Sequence, residues 1–208
     1  MSSDTSRLTP DLQRHRQQLR RALRAARRSL PPSRQRRAAQ DLANRLLRLP
    51  GMARVRDVAA YVASDGEIDP MPALRQLARR GVRIWLPVLT RHPQAKGNDL
   101  HFARMPSAAS GRAGWQRNRF GIAEPRTRQR RAAWTLDLLW LPLVGFDRHG
   151  QRLGMGGGFY DRLLAGLARR PTRPGLIGLA HALQQVDTLP VAAWDQPVDA
   201  VVTDLGTH

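Results

Sequence analysis

Short apolar segments alternate with helical segments along most of this chain, and this alternation most strongly constrains its fold. Six apolar segments have the length of buried strands: 58–62, 82–88, 100–105, 138–146, 176–180 and 198–203. Helical segments lie at 70–80 and 159–170. Strands that alternate with helices favour a mostly parallel open sheet with helices on both faces. The sequence therefore predicts an α/β fold of the three-layer α/β/α sandwich type.

The first 50 residues are predicted to form an N-terminal helical arm. The apolar stripe of the first helix consists of Leu12, Leu19, Leu23, Ala26 and Leu30. Arginines occupy the other faces of this helix, and Ser33 is the candidate cap of a second helix that ends near residue 49. A length of 208 residues suits one domain. We therefore expect residues 1–208 to form a single α/β domain on which residues 1–50 pack.

The chain is strongly basic, with a formal net charge of +19. Lys96 is its only lysine, so 34 of its 35 basic residues are arginine. Residues 1–56 contain 15 arginines against three aspartates. Such a charge is typical of nucleic-acid binding, but arginine spread over the whole chain favours a compositional bias on solvated helix faces. A basic field also attracts small anions into a cleft.

Composition excludes several classes of protein. The chain has no cysteine, which excludes disulfides, a thiol nucleophile and cysteine-based metal sites. The longest uncharged segment in its apolar centre, 138–146, has nine residues, whereas a membrane-spanning helix needs about 20. The N-terminus has no apolar segment typical of a signal peptide. We therefore expect a cytoplasmic protein with no membrane partner.

A glycine-rich segment follows the predicted strand at 138–146 and precedes the helix at 159–170. Four of the five residues in 154–158 are glycine. Glycines let the backbone approach a ligand closely, and the following helix start adds unpaired amides and the positive end of its dipole. Arg152 supplies a fixed positive charge in a fork geometry. These features predict a phosphate site at the carboxyl end of a strand.

The familiar phosphate motifs do not fit this segment. A P-loop needs a lysine after its glycines, and a dinucleotide fingerprint needs glycine where Phe159 stands. The alternative interpretation is a tight strand-to-helix connection without a ligand. Asp161 also has two interpretations. It either complements the helix dipole or, beside a triphosphate, binds Mg2+.

Several segments resemble the 5-formyltetrahydrofolate cyclo-ligase family, also called the 5,10-methenyltetrahydrofolate synthetase family. The strongest resemblance is the glycine-rich segment itself, with the strand before it and the helix start after it. The resembling segments, in chain order, are 64–70, 84–88, 120–125, 141–147 with Gly150 and 152–162, and 194–204. The resemblance covers almost the whole chain and implies a three-layer α/β sandwich.

The resemblance also implies roles for individual residues. Those implied for ATP are Arg16, Arg20, Arg152, Leu153, Gly154, Met155, Gly156, Gly157, Gly158, Phe159 and Tyr160. Those implied for the folate are Val62, Glu67, Met155, Gly156, Gly157, Gly158 and Phe159. Asp161 and Asp195 match the family's magnesium carboxylates. The family has lysine where this chain has Arg16, and Arg14 is the alternative match. Trp115 is a candidate wall residue of the pterin pocket.

The implied activity is the ATP- and Mg2+-dependent cyclisation of 5-formyltetrahydrofolate to 5,10-methenyltetrahydrofolate, with release of ADP and phosphate. Arg152 would stabilise the transferred phosphoryl group, and Tyr160 is the candidate general acid or base. Two alternatives stay open: a basic nucleic-acid-binding α/β protein, and a catalytically silent paralogue that binds folate or nucleotide. We expect a small-molecule substrate, no nucleic-acid partner, and a monomer or weak homodimer.

Overall fold

The computed structural model describes residues 9–89, 100–192 and 194–208. Its α-helices are α1 (Pro10–Arg28), α2 (Pro32–Leu46), α3 (Met71–Arg79) and α4 (Phe159–Ala168). Its strands are β1 (Asp57–Ala59), β2 (Arg83–Leu89), β3 (Leu100–Arg104), β4 (Trp115–Arg117), β5 (Ala123–Pro125), β6 (Arg130–Arg131), β7 (Leu138–Pro142), β8 (Gly145–Phe146), β9 (Arg152–Leu153), β10 (Gly175–Leu179) and β11 (Ala200–Val202). Short 3-10 helices span Met52–Arg54, Ala108–Gly114, Ala133–Thr135 and Ala182–Gln184.

A seven-stranded sheet forms the centre of the molecule, in the order β11-β10-β7-β1-β2-β3-β6. The strands from β11 to β2 are parallel, and β3 and β6 join one edge antiparallel. From β1 the chain builds outward to β2 and β3, then returns to the other side of β1 as β7. In open α/β sheets, ligands bind at such a reversal, beyond the carboxyl ends of the strands.

The two faces of the sheet carry separate apolar cores. Val58 and Ala59 are consecutive residues of β1, so their side chains point to opposite faces. Val58 packs in one core with Leu42 of α2 and Leu74 of α3. Ala59 packs in the other core with Leu164 of α4. Helices therefore cover both faces, which confirms the predicted three-layer sandwich.

Helix α1 does not lie on either face of the sheet. It packs through Leu23 on Val144 and Leu153, beside the β8–β9 ribbon. The buried positions of α1 are Arg16, Leu23 and Arg27, and Ala26 is exposed. The prediction that arginines occupy only the other faces of this helix is therefore wrong.

Two further local predictions are wrong. The segment 138–146 is not one strand, because β7 ends at Pro142 and β8 pairs antiparallel with β9 in a separate ribbon. Ser33 lies inside α2 and does not cap it, since the helix begins at Pro32 without a side-chain cap. The surface excursion at 106–135 contains the β4–β5 hairpin, and β6 returns from it to the main sheet. No helix among the described residues is long and apolar enough to cross a membrane.

Leu42 tests whether α2 is part of the cooperative core. Its side chain is fully buried, so Leu42→Ala should lower the free energy of unfolding by about 2–5 kcal/mol. Urea denaturation measures this change. The control is Leu205→Ala, because Leu205 is 72% exposed and its truncation should change stability by less than about 0.5 kcal/mol. Equal, small effects of the two substitutions would show that α2 is only loosely attached.

Candidate functional site

A cavity of about 380 Å³ lies where β1 and β7 end, at the reversal of strand order. Its walls come from the loops after β1 and β7, from β2, from the β4–β5 hairpin and from the start of α4. The lining residues are Tyr61, Val62, Ser64, Glu67, Pro87, Leu89, Leu100, Asn118, Phe120, Ile122, Ala123, Pro142, Arg152, Gly154, Met155, Gly156, Gly157, Gly158, Phe159, Tyr160 and Asp161. The cavity therefore unites the predicted glycine-rich segment with the predicted substrate residues.

The glycine-rich segment forms one wall of this cavity with its main chain. Gly156 and Gly158 have φ values of 93° and 67°, which residues other than glycine rarely adopt. Gly158 is the N-cap residue of α4 and has no side chain that could accept a hydrogen bond from the first turn. Within the described part of the chain, the amides of Gly156, Gly157 and Gly158 donate to no protein group. A row of unpaired amides at a helix start is suited to binding an anion.

Two arginines of α1 lie close to the glycine-rich loop and to Asp195, although neither lines the cavity. Arg16 and Arg20 are four residues apart and therefore lie on one face of the helix. Arg20 Nε donates to the carbonyl oxygen of Gly154 at 2.8 Å. Arg16 is buried and donates from both Nη atoms to Asp195, at 2.5 and 3.0 Å. Arg14, the alternative match, is exposed and pairs with Asp11.

The two predicted magnesium carboxylates both pair with arginines. Asp161 accepts from Arg152 Nη2, and Arg152 Nε donates to the carbonyl oxygen of Gln196 at 3.0 Å. Burial lowers the pKa of Arg20 and Arg16 adds to this effect, whereas Asp195 and Asp161 oppose it. Both carboxylates therefore act electrostatically on the same guanidinium group.

These residues satisfy the chemistry of a magnesium site only in part. Mg2+ prefers oxygen ligands and is usually bound by one or two carboxylates together with phosphate oxygens. Asp161 and Asp195 fit that requirement. No group of three or more metal-ligating side chains occurs among the described residues, so the protein alone does not offer a full ligand set.

The turn after β1 brings Glu67 and Val62 to the opposite wall. Glu67 Oε2 accepts from the amide of Ser64 at 3.0 Å and from its hydroxyl at 3.3 Å. Burial raises the pKa of Glu67 above its usual value, and Arg27 and the Ser64 hydrogen bonds oppose this. Burial also raises the pKa of Tyr160, and Glu67 adds to the effect. Tyr160 is therefore suited to donating a hydrogen bond and is a poor base.

The β4–β5 hairpin supplies wall residues that the sequence analysis missed. Its tip places Phe120 in the cavity wall, in an edge-to-face contact with Phe159 at 6.3 Å between ring centroids. Trp115 does not line the cavity and packs against the core shared with α2 and α3, so its predicted role is wrong. The sequence signal for the hairpin was Asn118 and Gly121, residue types that favour turns. In the structure they close the turn, and Gly121 has a φ of 75°.

A second missed residue is Arg27, near the end of α1. Its side chain is fully buried beside Asp65 and Glu67 in the turn after β1. Arginine is rarely buried unless it is paired. A signal was present in the sequence, since Arg16, Arg20 and Arg27 repeat at helical spacing.

This geometry defines an α/β protein with a glycine-rich loop, suited to binding an anion, beside a cavity. A sequence model of the 5-formyltetrahydrofolate cyclo-ligase family matches residues 12–204. This chain belongs to that family of ligases.

Individual relatives agree with this assignment. The 5-formyltetrahydrofolate cyclo-ligase of Escherichia coli (strain K12) is 42% identical over 183 residues, which cover 87% of this chain and 96% of the relative. The Haemophilus influenzae 5-formyltetrahydrofolate cyclo-ligase is 36% identical over 185 residues, covering 88% and 94%. The solved structure of Aquifex aeolicus 5,10-methenyltetrahydrofolate synthetase has a TM-score of 0.76 and 30% identity, and the match covers 93% of this chain and 91% of that one. The resemblance seen in the sequence is thus confirmed.

The buried pair of Arg16 and Asp195 should be strongly coupled. Arg16→Met leaves a carboxylate only 5% exposed without its main partner, which should lower the free energy of unfolding by about 3–5 kcal/mol. The double variant Arg16→Met/Asp195→Asn should lose less free energy of unfolding than the two single variants lose together. We expect the difference to be about 1–3 kcal/mol. Denaturant unfolding of the four proteins gives this coupling.

The matched control is the pair of Arg14 and Asp11 on the same helix, whose side chains are 71% and 87% exposed. The equivalent double-mutant cycle should show no measurable coupling there, since exposed ion pairs are solvated. The same coupling in both cycles would contradict a special role for the buried pair.

Proposed function

We propose that this chain catalyses the ATP- and Mg2+-dependent cyclisation of 5-formyltetrahydrofolate to 5,10-methenyltetrahydrofolate, with release of ADP and phosphate. Family membership supports the reaction class. The single observation that carries the proposal is the row of unpaired amides at Gly156, Gly157 and Gly158, which line a cavity shared with Glu67. A phosphate can bind those amides while a flat ring occupies the space beside them.

The reaction requires activation of an unreactive group. The formyl group on N5 is an amide, so its oxygen leaves poorly and N10 attacks its carbon slowly. Transfer of the γ-phosphoryl group of ATP to the formyl oxygen releases ADP and creates a good leaving group. N10 then bonds to the formyl carbon, phosphate departs with that oxygen, and the N10 proton is released. Such a sequence depends on positioning and charge neutralisation more than on a protein nucleophile.

The residues around the glycine loop are suited to the phosphoryl step. The amides at 156–158 would bind phosphate oxygens, and Arg152 would neutralise charge on the transferred group. Arg20 lies beside the loop and Arg16 beside Asp195, and both would bind the rest of the nucleotide. Leu153, Gly154 and Met155 shape the loop, whose backbone is held by the hydrogen bond from Arg20 to Gly154.

The opposite wall is suited to the folate. Glu67 is 8% exposed, and its carboxylate would accept hydrogen bonds from the donor edge of a pterin. Val62, Met155 and Phe159 supply apolar surface for the ring system. Tyr160 would donate a hydrogen bond near the reacting groups, because its raised pKa keeps it protonated.

Asp161 and Asp195 are the residues that would hold Mg2+. When bound with the nucleotide, Mg2+ neutralises phosphate charge and orients the triphosphate. Both carboxylates now neutralise arginines, so they would have to exchange an arginine for the metal when ATP binds.

The wider setting follows from the same proposal. We propose one α/β domain that includes the N-terminal helices, acting in the cytoplasm as a monomer or weak homodimer on a small-molecule substrate, without nucleic-acid or membrane partners. The packing of α2 on the sheet core and of Arg16 against Asp195 supports a single unit.

The decisive experiment incubates the protein with 5-formyltetrahydrofolate and Mg-ATP and follows the absorbance of the methenyl product. We expect product and ADP in equal amounts. Arg152→Met should lower kcat/KM about 100-fold or more, because it removes a charge aimed at the transferred group. Arg148→Met, at an exposed neighbouring position, is the control and should be close to wild type. ATP hydrolysis without methenyl product would overturn the proposal and favour a paralogue that has lost this turnover.

The metal role of Asp161 has a signature in ATP binding. With Mg2+ present, Asp161→Asn should weaken ATP binding about tenfold, since a metal ligand is lost. With EDTA present, the same variant should bind ATP as tightly as wild type or tighter, because a negative charge beside the phosphates is gone. Equilibrium dialysis with labelled ATP measures both affinities.

Asp187→Asn is the control for this experiment, because Asp187 is an exposed acid outside the cavity lining. It should change neither affinity. If Asp161→Asn tightened ATP binding in both conditions, Asp161 would be only a counter-charge for Arg152.

A further inference from the structure

Arg27 lies near the end of α1, and its guanidinium group is the centre of a buried polar cluster. Nε donates to the carbonyl oxygen of Asp65 at 2.9 Å, and Nη2 donates to Asp65 Oδ2 at 2.9 Å. Nη1 donates to the carbonyl oxygen of Leu143 at 3.1 Å. Nη2 also lies 3.8 Å from Glu67 Oε1 and 3.6 Å from Met155 Sδ. One side chain thus contacts the turn after β1, the segment after β7 and the glycine-rich loop.

The turn that carries Glu67 is pressed against this part of α1. Asp65 has a φ of 51° and Gly66 one of 74°, so the chain reverses sharply before Glu67. A side chain at position 66 would meet the carbonyl oxygen of Arg27 at 3.1 Å. The turn therefore takes its position from α1, and the contacts of Arg27 fix it there.

We propose that Arg27 is a positioning residue that sets Glu67 and Met155 in the folate half of the site and ties them to the helix that carries Arg16 and Arg20. This inference rests on the proposed function. It assigns the relative placement of the folate and nucleotide halves to a single buried side chain, which would touch neither substrate.

Arg27 also favours the ionised form of Glu67. The charged and titratable groups that act on Glu67 are Arg27, Arg24, Asp65, Tyr61 and Tyr160. Burial raises the pKa of Glu67, and Arg27 is the main opposing influence. Loss of Arg27 should therefore raise this pKa further, so that Glu67 becomes protonated at a higher pH. If the ionised carboxylate binds the pterin, the acid limb of the activity profile moves upward.

The test compares Arg27→Met, Arg27→Lys and wild type in the methenyl absorbance assay, with both substrates varied. Arg27→Met should lower kcat/KM for 5-formyltetrahydrofolate about 10- to 100-fold and leave the KM for Mg-ATP within about threefold. It should also move the acid limb to higher pH, because a positive charge beside Glu67 is lost. Arg27→Lys keeps the charge but not the fork of contacts. It should restore the acid limb while the KM for the folate stays raised.

Arg28→Met is the matched control. Arg28 lies next to Arg27 on the same helix and pairs with Asp65 at 3.2 Å. Its side chain is half exposed and, unlike that of Arg27, makes no ion pair with Glu67. Its kinetic constants and pH profile should be those of wild type. Circular dichroism verifies folding, and if Arg27→Met fails to fold, the folate KM of Arg27→Lys decides.

Two results would overturn the inference. One is a folded Arg27 variant with wild-type folate KM and acid limb. The other is an equal rise of both KM values, which would indicate a general loosening of the site. Wild-type turnover is measured in parallel. Its absence would overturn the proposed function itself, whereas normal wild-type turnover with unchanged Arg27 variants would overturn the inference alone.

Discussion

The structure depends on the pairing of buried arginines with carboxylates at the carboxyl ends of the parallel strands. A guanidinium group stays charged in a protein, so it can be buried only where opposite charge and acceptor oxygens surround it. Arg16, Arg27 and Arg152 each meet this requirement through an aspartate and a main-chain carbonyl. The pairs of Arg16 and Arg27 hold α1 against the sheet domain, and that of Arg152 joins β9 to α4. The same contacts therefore maintain the fold and shape the site.

The order of the strands explains why these pairs meet in one place. β1 and β7 are adjacent and parallel, so the loops that leave them emerge at the same edge of the sheet. One loop brings Asp65 and Glu67, and the other leads to the glycine-rich segment. Gly156 and Gly158 allow that segment φ values of 93° and 67°, which other residues rarely adopt. Topology places the loops together, and glycine leaves the space for a ligand.

The sequence predicted the features that depend on local pattern. The short apolar segments located six of the seven strands of the sheet, all but β6. The glycine cluster located the loop that lines the cavity. The spacing of Arg16, Arg20 and Arg27 places them near one face of α1, but it does not show that Arg27 is buried, because arginine within an amphipathic helix normally faces solvent. That burial depends on Asp65, 38 residues away in the chain.

The prediction that Trp115 lines the pocket failed for a similar reason. Trp115 and Phe120 are both aromatic residues within a polar surface segment. The register of the β4–β5 hairpin turns Trp115 toward the core and leaves Phe120 at the tip beside the cavity. Register depends on the turn between the strands, and no apolar pattern in so short a hairpin reveals it.

Under the proposed function, the two ends of α1 have different tasks. A triphosphate at the glycine-rich loop would compete with Asp195 for Arg16 and with Asp161 for Arg152. A carboxylate released beside phosphate oxygens would be repelled by them unless a cation joined the two. Metal and nucleotide should therefore favour each other's binding through ion pairs that the protein already contains. Arg27 contacts Asp65, away from this competition. The helix can exchange partners at its first turns while its last turn keeps the folate wall in place.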